Sequence, residues 1–134
     1  MRKVFLDTNV VLDLLERQRP GHDPAKRLMA KLIEEGVQIV VSEDMLSTIY
    51  YILRDEAAVL EFFQWIVARW QVVPFGRAVI EEAIAQCQEV SGQDFEDALQ
   101  GFCAKHNRCD VLITNDAGFG ECGVPVVSVD AFLR

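Results

Sequence analysis

Short apolar segments of strand length alternate with longer stretches of helical periodicity along the whole chain. Each strand candidate is followed at once by a polar residue or a proline. In most of the stretches between them, apolar residues recur every three or four positions, which is typical of an amphipathic helix. Strands separated by helices form parallel sheets covered by helices on both faces. The sequence therefore predicts an α/β fold with a mainly parallel central sheet of four to five strands.

Capping residues and chain breakers set the expected boundaries. Asp23-Pro24 predicts a helix with aspartate as its N-cap and proline at its first position, and Gly36 ends that helix. Four other polar residues can cap helices: Ser42, Asp55, Asp94 and Ser128. The predicted order is β-α-α-β-α-α-β-α-α-β-β-α, with strands at residues 3–6, 38–41, 71–73, 110–114 and 124–127. Helices are predicted at residues 9–17, 24–35, 43–53, 56–67, 78–90, 94–106 and 129–133.

Apolar spacing also predicts which helix residues face the core. Three of the predicted inward faces are used below. They are Leu28, Met29, Leu32 and Ile33 on the second helix; Leu60, Phe63, Ile66 and Val67 on the fourth; and Ile80, Ala83, Ile84 and Cys87 on the fifth.

The composition is that of one globular domain. A chain of 134 residues with 51% apolar and 25% charged residues is long enough to bury a core, and we expect a single domain over residues 1–134. No apolar run approaches the roughly 18 residues needed to span a bilayer. The apolar start of the chain is cut at Asp7, too early for a signal peptide. We therefore expect a cytoplasmic protein with no membrane partner.

The cysteines and histidines predict no zinc site. No two cysteines stand in a Cys-x-x-Cys pair, and a zinc site requires closer spacing with histidine partners. Reduced, mostly buried thiols are the expected state. Cys103 and His106 are at helical spacing and leave a nucleophilic pair as an alternative. The residues concerned are Cys87, Cys103, Cys109, Cys122, His22 and His106.

Four aspartates predict an acidic site at one edge of the sheet. Asp7 follows the apolar run Val4-Phe5-Leu6, and Asp116 follows the run that ends at Thr114. The carboxyl ends of parallel strands are where ligands bind. Asp94 and Asp97 have i, i+3 spacing, which puts them on one face of a helix. Carboxylates gathered at one place repel each other unless a divalent cation neutralises them, so the pattern predicts a metal site.

Each aspartate also has a purely structural interpretation. Asp7 can serve only as a helix N-cap, and Asp116 can be a turn residue before Ala117-Gly118. Asp94 can be an N-cap, with Asp97 as its partner in a capping box. The order strand aspartate, helix aspartate, strand aspartate is more specific than any one of them.

That order and its flanking residues resemble a PIN-domain ribonuclease, the fold of the toxin subunits in VapBC-type toxin–antitoxin pairs. Val4-Phe5-Leu6-Asp7-Thr8-Asn9-Val10 is similar to the family's opening motif. Asp97-Ala98 is similar to its late helical aspartate, and Thr114-Asn115-Asp116 to its strand-end aspartate. Residues 126–133 resemble the family's closing strand and helix. The resemblance covers essentially the whole chain and implies a single PIN-like domain.

The resemblance also implies a function. It implies a metal-dependent endoribonuclease that cleaves single-stranded or structured RNA, with a cognate antitoxin and a homodimeric state as further expectations. Asp7, Asp97 and Asp116 would hold Mg²⁺ or Mn²⁺, with Asp94 nearby. Four neighbouring residues would contribute hydrogen bonds to the ligands or the substrate: Thr8, Asn9, Thr114 and Asn115.

One position departs from the family pattern. The family usually carries a glutamate one turn into the helix after the second strand, and in register this position is Thr48. A subgroup with Asp-Phe-Glu-Asp on the later helix also lacks that glutamate, and Asp94 then supplies the charge. Glu43 or Asp44 would substitute only in another register. A catalytically silent module that binds RNA or a protein is therefore the main alternative.

Two other observations bear on function. The net charge of −8 is unfavourable for binding RNA, although Lys26, Arg27 and Lys31 form a basic stripe on one predicted helix. A solvated helix face explains that stripe equally well. A phosphatase with Asp7 as nucleophile is a weaker alternative, because its acid/base carboxylate is expected two residues later, where Asn9 stands.

Overall fold

A computed structural model describes all 134 residues of the chain. The strands are β1 (Lys3–Leu6), β2 (Gln38–Ser42), β3 (Gln71–Val73), β4 (Val111–Ile113) and β5 (Val126–Val127). The helices are α1 (Thr8–Leu15), α2 (His22–Glu34), α3 (Glu43–Ile52), α4 (Glu56–Arg69), α5 (Gly76–Glu89), α6 (Phe95–His106) and α7 (Val129–Leu133). The predicted order of elements is confirmed throughout.

The five strands form one parallel sheet in the order β3-β2-β1-β4-β5. The first strand lies in the middle, and Phe5 is paired with Val40 on one side and with Leu112 on the other. Because every strand is parallel, the carboxyl ends of β1 and β4 meet at the same edge of the sheet. The residues that follow these two strands, Asp7 and Thr114, are therefore neighbours in space.

Both faces of the sheet are buried, as expected for a parallel sheet. Side chains alternate along β1, so that Val4 and Leu6 face one core and Phe5 faces the other. Helices α1, α2, α3, α4 and α7 cover the first face, and α5 and α6 cover the second. The predicted helices on both faces are thus confirmed.

Several predicted boundaries are wrong by a few residues. Helix α2 begins at His22 with Gly21 in the N-cap position and no side-chain cap, so Asp23 lies inside the first turn. Residues 124 and 125, predicted to start the last strand, lie outside β5. The other predicted caps are confirmed, since each side chain accepts a backbone N–H bond from the first turn of its helix; they are Ser42, Asp55, Asp94 and Ser128.

The inward faces of two helices are rotated from the prediction. Helix α5 buries Val79 and Ala83, whereas Ile80 and Ile84 are 40% and 43% exposed. Helix α4 buries Val59 and Ile66, whereas Leu60 and Val67 are 52% and 62% exposed; on α2, Ile33 is likewise exposed. Two adjacent rows of each helix are apolar, and only docking against the sheet decides which row is buried. A second apolar row of α4, which includes Leu60 and Val67, is therefore open to solvent.

Candidate functional site

Asp7 lies where β1 passes into α1. Its backbone N–H donates to the Ile113 carbonyl at 3.0 Å, which continues the sheet pairing. The carboxylate is 6% exposed, and its Oδ1 accepts the Thr8 N–H at 2.9 Å as the N-cap of α1. Its Oδ2 accepts the Thr114 hydroxyl at 2.7 Å and the Asn9 side-chain amide at 3.0 Å. Asp7 is an N-cap, as one interpretation predicted, and it is also a rigidly held buried acid.

Asp116 is positioned by the end of β4. Its N–H donates to the Thr114 hydroxyl oxygen at 3.1 Å, and its Oδ1 accepts the Gly118 N–H at 2.9 Å. Asp116 is therefore a turn residue, as one interpretation predicted, because its side chain accepts a backbone N–H bond two residues later. The residue is exposed to solvent. Thr114 thus links the two strand-end aspartates through one hydroxyl.

Asp94 and Asp97 are brought to the same edge by the start of α6. Asp94 is the N-cap, and its Oδ1 accepts the Asp97 N–H at 2.9 Å. The reciprocal bond of a capping box, from the Asp94 N–H to the Asp97 carboxylate, is not formed. The Asp97 side chain is therefore not used for capping, and it lies against the Asp116 side chain instead.

One cleft collects these side chains. It has a volume of about 270 Å³ and only one apolar lining residue. All four predicted aspartates line it, and their catalytic and metal-binding roles stay a prediction. The lining residues are Asp7, Thr8, Asn9, Leu12, Asp94, Glu96, Asp97 and Asp116.

The crowding of acids changes their proton affinity. Burial and repulsion by Asp94, Asp116 and Asp7 raise the pKa of Asp97 from its ordinary 3.8 to about 7. Burial also raises the pKa of Asp7, and this effect exceeds the opposing effect of its hydrogen bonds. Burial and repulsion by neighbouring acids raise the pKa of Glu96. The cleft therefore favours any ligand that brings positive charge.

The donor set fits a hard divalent cation in its chemistry. The charged groups that line the cleft are all carboxylates, which Mg²⁺ and Mn²⁺ prefer over nitrogen and sulfur ligands. In the conformation described, no three of these side chains converge closely enough to hold one ion. Asp94 and Asp116 are exposed and can move toward the buried Asp7 with little loss of packing.

Glu96 is a site residue that the sequence analysis missed. It lines the cleft together with Asp94 and Asp97 and is repelled by Asp44 on α3. The run Asp-Phe-Glu-Asp places three acids at the start of α6, but which of them face the cleft depends on the rotation of the helix about its own axis. Thr48 carries no charge, and its hydroxyl donates to the Asp44 carbonyl at 3.2 Å. Asp44, one helical turn before Thr48, is therefore close enough to Glu96 to repel it.

The predicted hydrogen-bonding residues form a network around Asp7. The Asn9 Oδ1 accepts the Asn115 N–H at 3.2 Å, and the Asn115 Oδ1 accepts the Val129 N–H at 3.2 Å. The network therefore ties the first strand, the fourth strand and the last helix together. Thr8 is the exception, since its buried hydroxyl has no partner.

Two other sequence observations do not lead to this site. Lys26 and Arg27 are exposed on α2 without side-chain partners, and Lys31 donates to the Phe132 carbonyl at 3.2 Å. Burial raises the pKa of the Cys103 thiol to about 12, and the His106 ring is paired with Glu82 at 2.7 Å. The alternative that Cys103 and His106 form a nucleophilic pair is therefore wrong. All four cysteines are free, as expected.

The sheet order and the acidic cleft at its carboxyl edge define an α/β domain of the kind expected from the resemblance. The PIN domain family model matches residues 3–118, and the chain belongs to the PIN domain family. Ribonuclease VapC1 of Aquifex aeolicus (strain VF5) is 29% identical over 135 residues, covering 98% of this chain and 94% of that protein.

No helix is both long and apolar enough to cross a membrane.

Solved structures share the fold at lower identity. A toxin–antitoxin complex from Klebsiella pneumoniae gives a TM-score of 0.71 at 20% identity, covering 94% of this chain and 97% of that one. Mycobacterium tuberculosis VapC20, described as a toxin that cleaves the sarcin-ricin loop, gives a TM-score of 0.68 at 19% identity, covering 88% of this chain and 97% of that one. VapBC2 from Rickettsia felis, bound to promoter DNA, gives a TM-score of 0.71 at 14% identity, covering 94% of this chain and 98% of that one.

Proposed function

We propose that the protein is a metal-dependent endoribonuclease that cleaves single-stranded RNA and acts as the toxin of a toxin–antitoxin pair. The observation that carries this proposal is the cleft in which Asp7, Asp94, Asp97 and Asp116 meet beside Glu96. The similarity to ribonuclease VapC1 over nearly the whole chain supports the same reaction class. An RNA substrate would place this activity in the cytoplasm.

The four aspartates would hold Mg²⁺ or Mn²⁺, which would supply activated water at neutral pH and offset charge on the phosphate. Asp7 contributes a carboxylate that three hydrogen bonds fix in place, so its position needs no reorganisation. Thr8 lines the cleft, but its hydroxyl is buried and has no partner, so a contact with the substrate would require its side chain to rotate. Asp97 holds a proton below about pH 7 in the absence of a cation and releases it when positive charge enters.

A cognate antitoxin would cover the same cleft. The solved structures with this fold include toxin–antitoxin complexes from Klebsiella pneumoniae and Salmonella typhimurium. A peptide carrying an arginine or lysine suits a cleft with five acids, because it brings the positive charge that these acids lack.

A homodimer would use the open surface of α4. Leu60 and Val67 are exposed there beside Phe63, around a groove of about 1010 Å³, and Tyr51 of α3 is 90% exposed. Trp70 is buried and packs edge-on against Trp65 at 5.6 Å between ring centroids, so it is not available for this interface. The proposed interface on α4 is therefore made of Leu60, Phe63 and Val67.

The alternative function is a catalytically silent module that binds RNA or a protein. Thr48 in place of the family's glutamate favours it, because threonine brings no charge. Cleavage of a panel of single-stranded RNAs with Mn²⁺ or Mg²⁺ separates the two functions, with EDTA and Asp7→Asn as controls. Cleavage that needs both the cation and Asp7 supports the nuclease. RNA binding without cleavage supports the silent module.

A further inference from the structure

The hydrogen-bond network of the site continues beyond the acidic cleft into the loop between α1 and α2. The Asn115 side-chain amide donates to the Oδ2 of Asp13 at 3.4 Å. Asp13 lies on α1 and is 7% exposed. Its other oxygen, Oδ1, accepts the Nε–H of Arg19 at 2.7 Å. Arg19 and Asn115 are therefore held on the two oxygens of one buried carboxylate.

The loop itself is folded around Asp13. The His22 ring nitrogen Nδ1 is 2.9 Å from the Asp13 carbonyl oxygen. A Cβ at Gly21 would collide with the Asp13 carboxylate, so the loop backbone passes against it. The Arg19 N–H donates to the Glu16 carbonyl, and the Arg19 carbonyl accepts the His22 N–H. The position of Arg19 is thus fixed before any ligand binds, which lowers the entropy lost on binding.

The terminal nitrogens of Arg19 have no partner. Only Nε is used by Asp13, and the side chain is 35% exposed. The other cations in ion pairs, Arg77, Lys105 and His106, are bound to acids of α5. Arg19 is therefore the one cationic side chain whose hydrogen bonds lead to the site.

Arg19 lines neither cavity of the site, and it is joined to the edge of the site through Asp13 and Asn115. Asn115 lines a second cavity of about 310 Å³ that shares Asp116 with the acidic cleft. An RNA strand that crosses the cleft must approach several carboxylates on a chain of net charge −8. A fixed guanidinium with two free terminal nitrogens matches two oxygens of a phosphate. It also offsets the repulsion beside the reaction site rather than within it.

We propose that Arg19, held by Asp13, binds a backbone phosphate of the RNA next to the phosphate that is cleaved. This proposal rests on the proposed function, because it requires an RNA substrate. A role in fixing the loop alone would use the Nε bond to Asp13 but not the terminal nitrogens. The two roles differ in the salt dependence of RNA binding, since only a phosphate contact releases counterions.

The test is fluorescence anisotropy of a labelled single-stranded RNA over a series of NaCl concentrations with Mg²⁺. All proteins carry Asp97→Asn so that the RNA stays intact, and cleavage by the unmodified protein is measured separately. Arg19→Gln removes the charge, and Arg19→Lys keeps the charge but lacks the two terminal N–H groups of a guanidinium that can bind two oxygens at once. Arg17→Gln is the matched control, because Arg17 is exposed in the same loop and has no hydrogen-bond or ion-pair partner.

We expect Arg19→Gln to weaken binding several-fold and to reduce the slope of log Kd against log salt by about 0.7, the value for one phosphate of a single strand. Arg19→Lys keeps the slope but binds less tightly, and Arg17→Gln changes neither. An unchanged slope in Arg19→Gln, or an equal loss in Arg17→Gln, overturns the role of Arg19 and leaves the nuclease intact. If the parent protein neither binds nor cleaves RNA, the proposed function fails, and the role of Arg19 fails with it.

Discussion

Replacing Asp7 by asparagine separates the functional role of this residue from its structural role. The asparagine side chain keeps a carbonyl oxygen to cap Thr8 and has an amide to donate to the Thr114 hydroxyl oxygen. It also turns an N–H toward the Asn9 amide, so one of three hydrogen bonds is lost. One such bond is worth about 1 kcal/mol. The buried negative charge disappears at the same time, and burial disfavours that charge in the metal-free protein.

The two effects oppose each other, so the free energy of unfolding changes by less than about 1 kcal/mol and Tm by less than about 4 °C. The functional loss is much larger, because the neutral amide cannot replace a carboxylate at a cation or balance its charge. A decrease of at least about 100-fold in kcat/KM corresponds to about 2.7 kcal/mol of transition-state stabilisation. The Asp7→Asn variant is therefore expected to be folded and inactive.

The assay is cleavage of a labelled single-stranded RNA with Mn²⁺, beside thermal unfolding of the same samples. Asp110→Asn is the matched control, because Asp110 precedes β4 and binds the backbone of Arg2 and Lys3 at the opposite end of the sheet. It removes one negative charge far from the cleft and should keep full activity. More than about a tenth of normal activity in Asp7→Asn, or a Tm that falls by about 10 °C, which is well beyond a 1 kcal/mol effect, would refute this reasoning.

Three further results are expected. Because the pKa of Asp97 is raised, the folded protein binds a proton more tightly than the unfolded chain does. The stability of the metal-free protein should therefore fall as the pH rises from about 4 to about 7 and then level off. Mn²⁺ should raise Tm more at pH 8 than at pH 5, and equal shifts at the two pH values would contradict this. Thr48→Glu should lower the metal-free Tm at pH 8, because it adds an acid one helical turn after Asp44, which already repels Glu96. The same variant should improve cation binding in calorimetry, and Thr48→Gln should change neither quantity. In sedimentation velocity, the unmodified chain should be a dimer, and Val67→Glu on the exposed face of α4 should be a monomer. The Tm of this variant at low protein concentration should be nearly unchanged. A monomeric unmodified chain would rule out this interface.

The order of helices and strands was predictable from the sequence because it depends on local signals. Apolar runs, helical spacing and the caps at Ser42, Asp55 and Asp94 each act within a few residues, and all appear in the structure where expected. Boundaries at glycine and proline were less certain. No side chain caps α2 at Gly21, and the Asp13 carboxylate leaves no room for a Cβ there.

The strand-end aspartates were also predictable, because in a parallel sheet the register of the strands places their carboxyl ends together. Asp7 and Asp116 needed only the prediction of two parallel strands. The aspartates of α6 needed its position as well, and Glu96 needed the rotation of that helix about its own axis. Rotation is set by packing against the sheet, which is why Glu96 was missed and why Leu60 was assigned to the core.

The sequence by itself determined the family, the element order and the positions of four acids, since each is written in short contiguous patterns. Only the tertiary structure decided which acids raise the pKa of Asp97, which face of α4 is open and how Arg19 is joined to the site. The bond from Arg19 to Asp13 and the bond from Asn115 to Asp13 connect residues up to 102 positions apart. Such contacts depend on how helices pack on the sheet, and no local pattern records them.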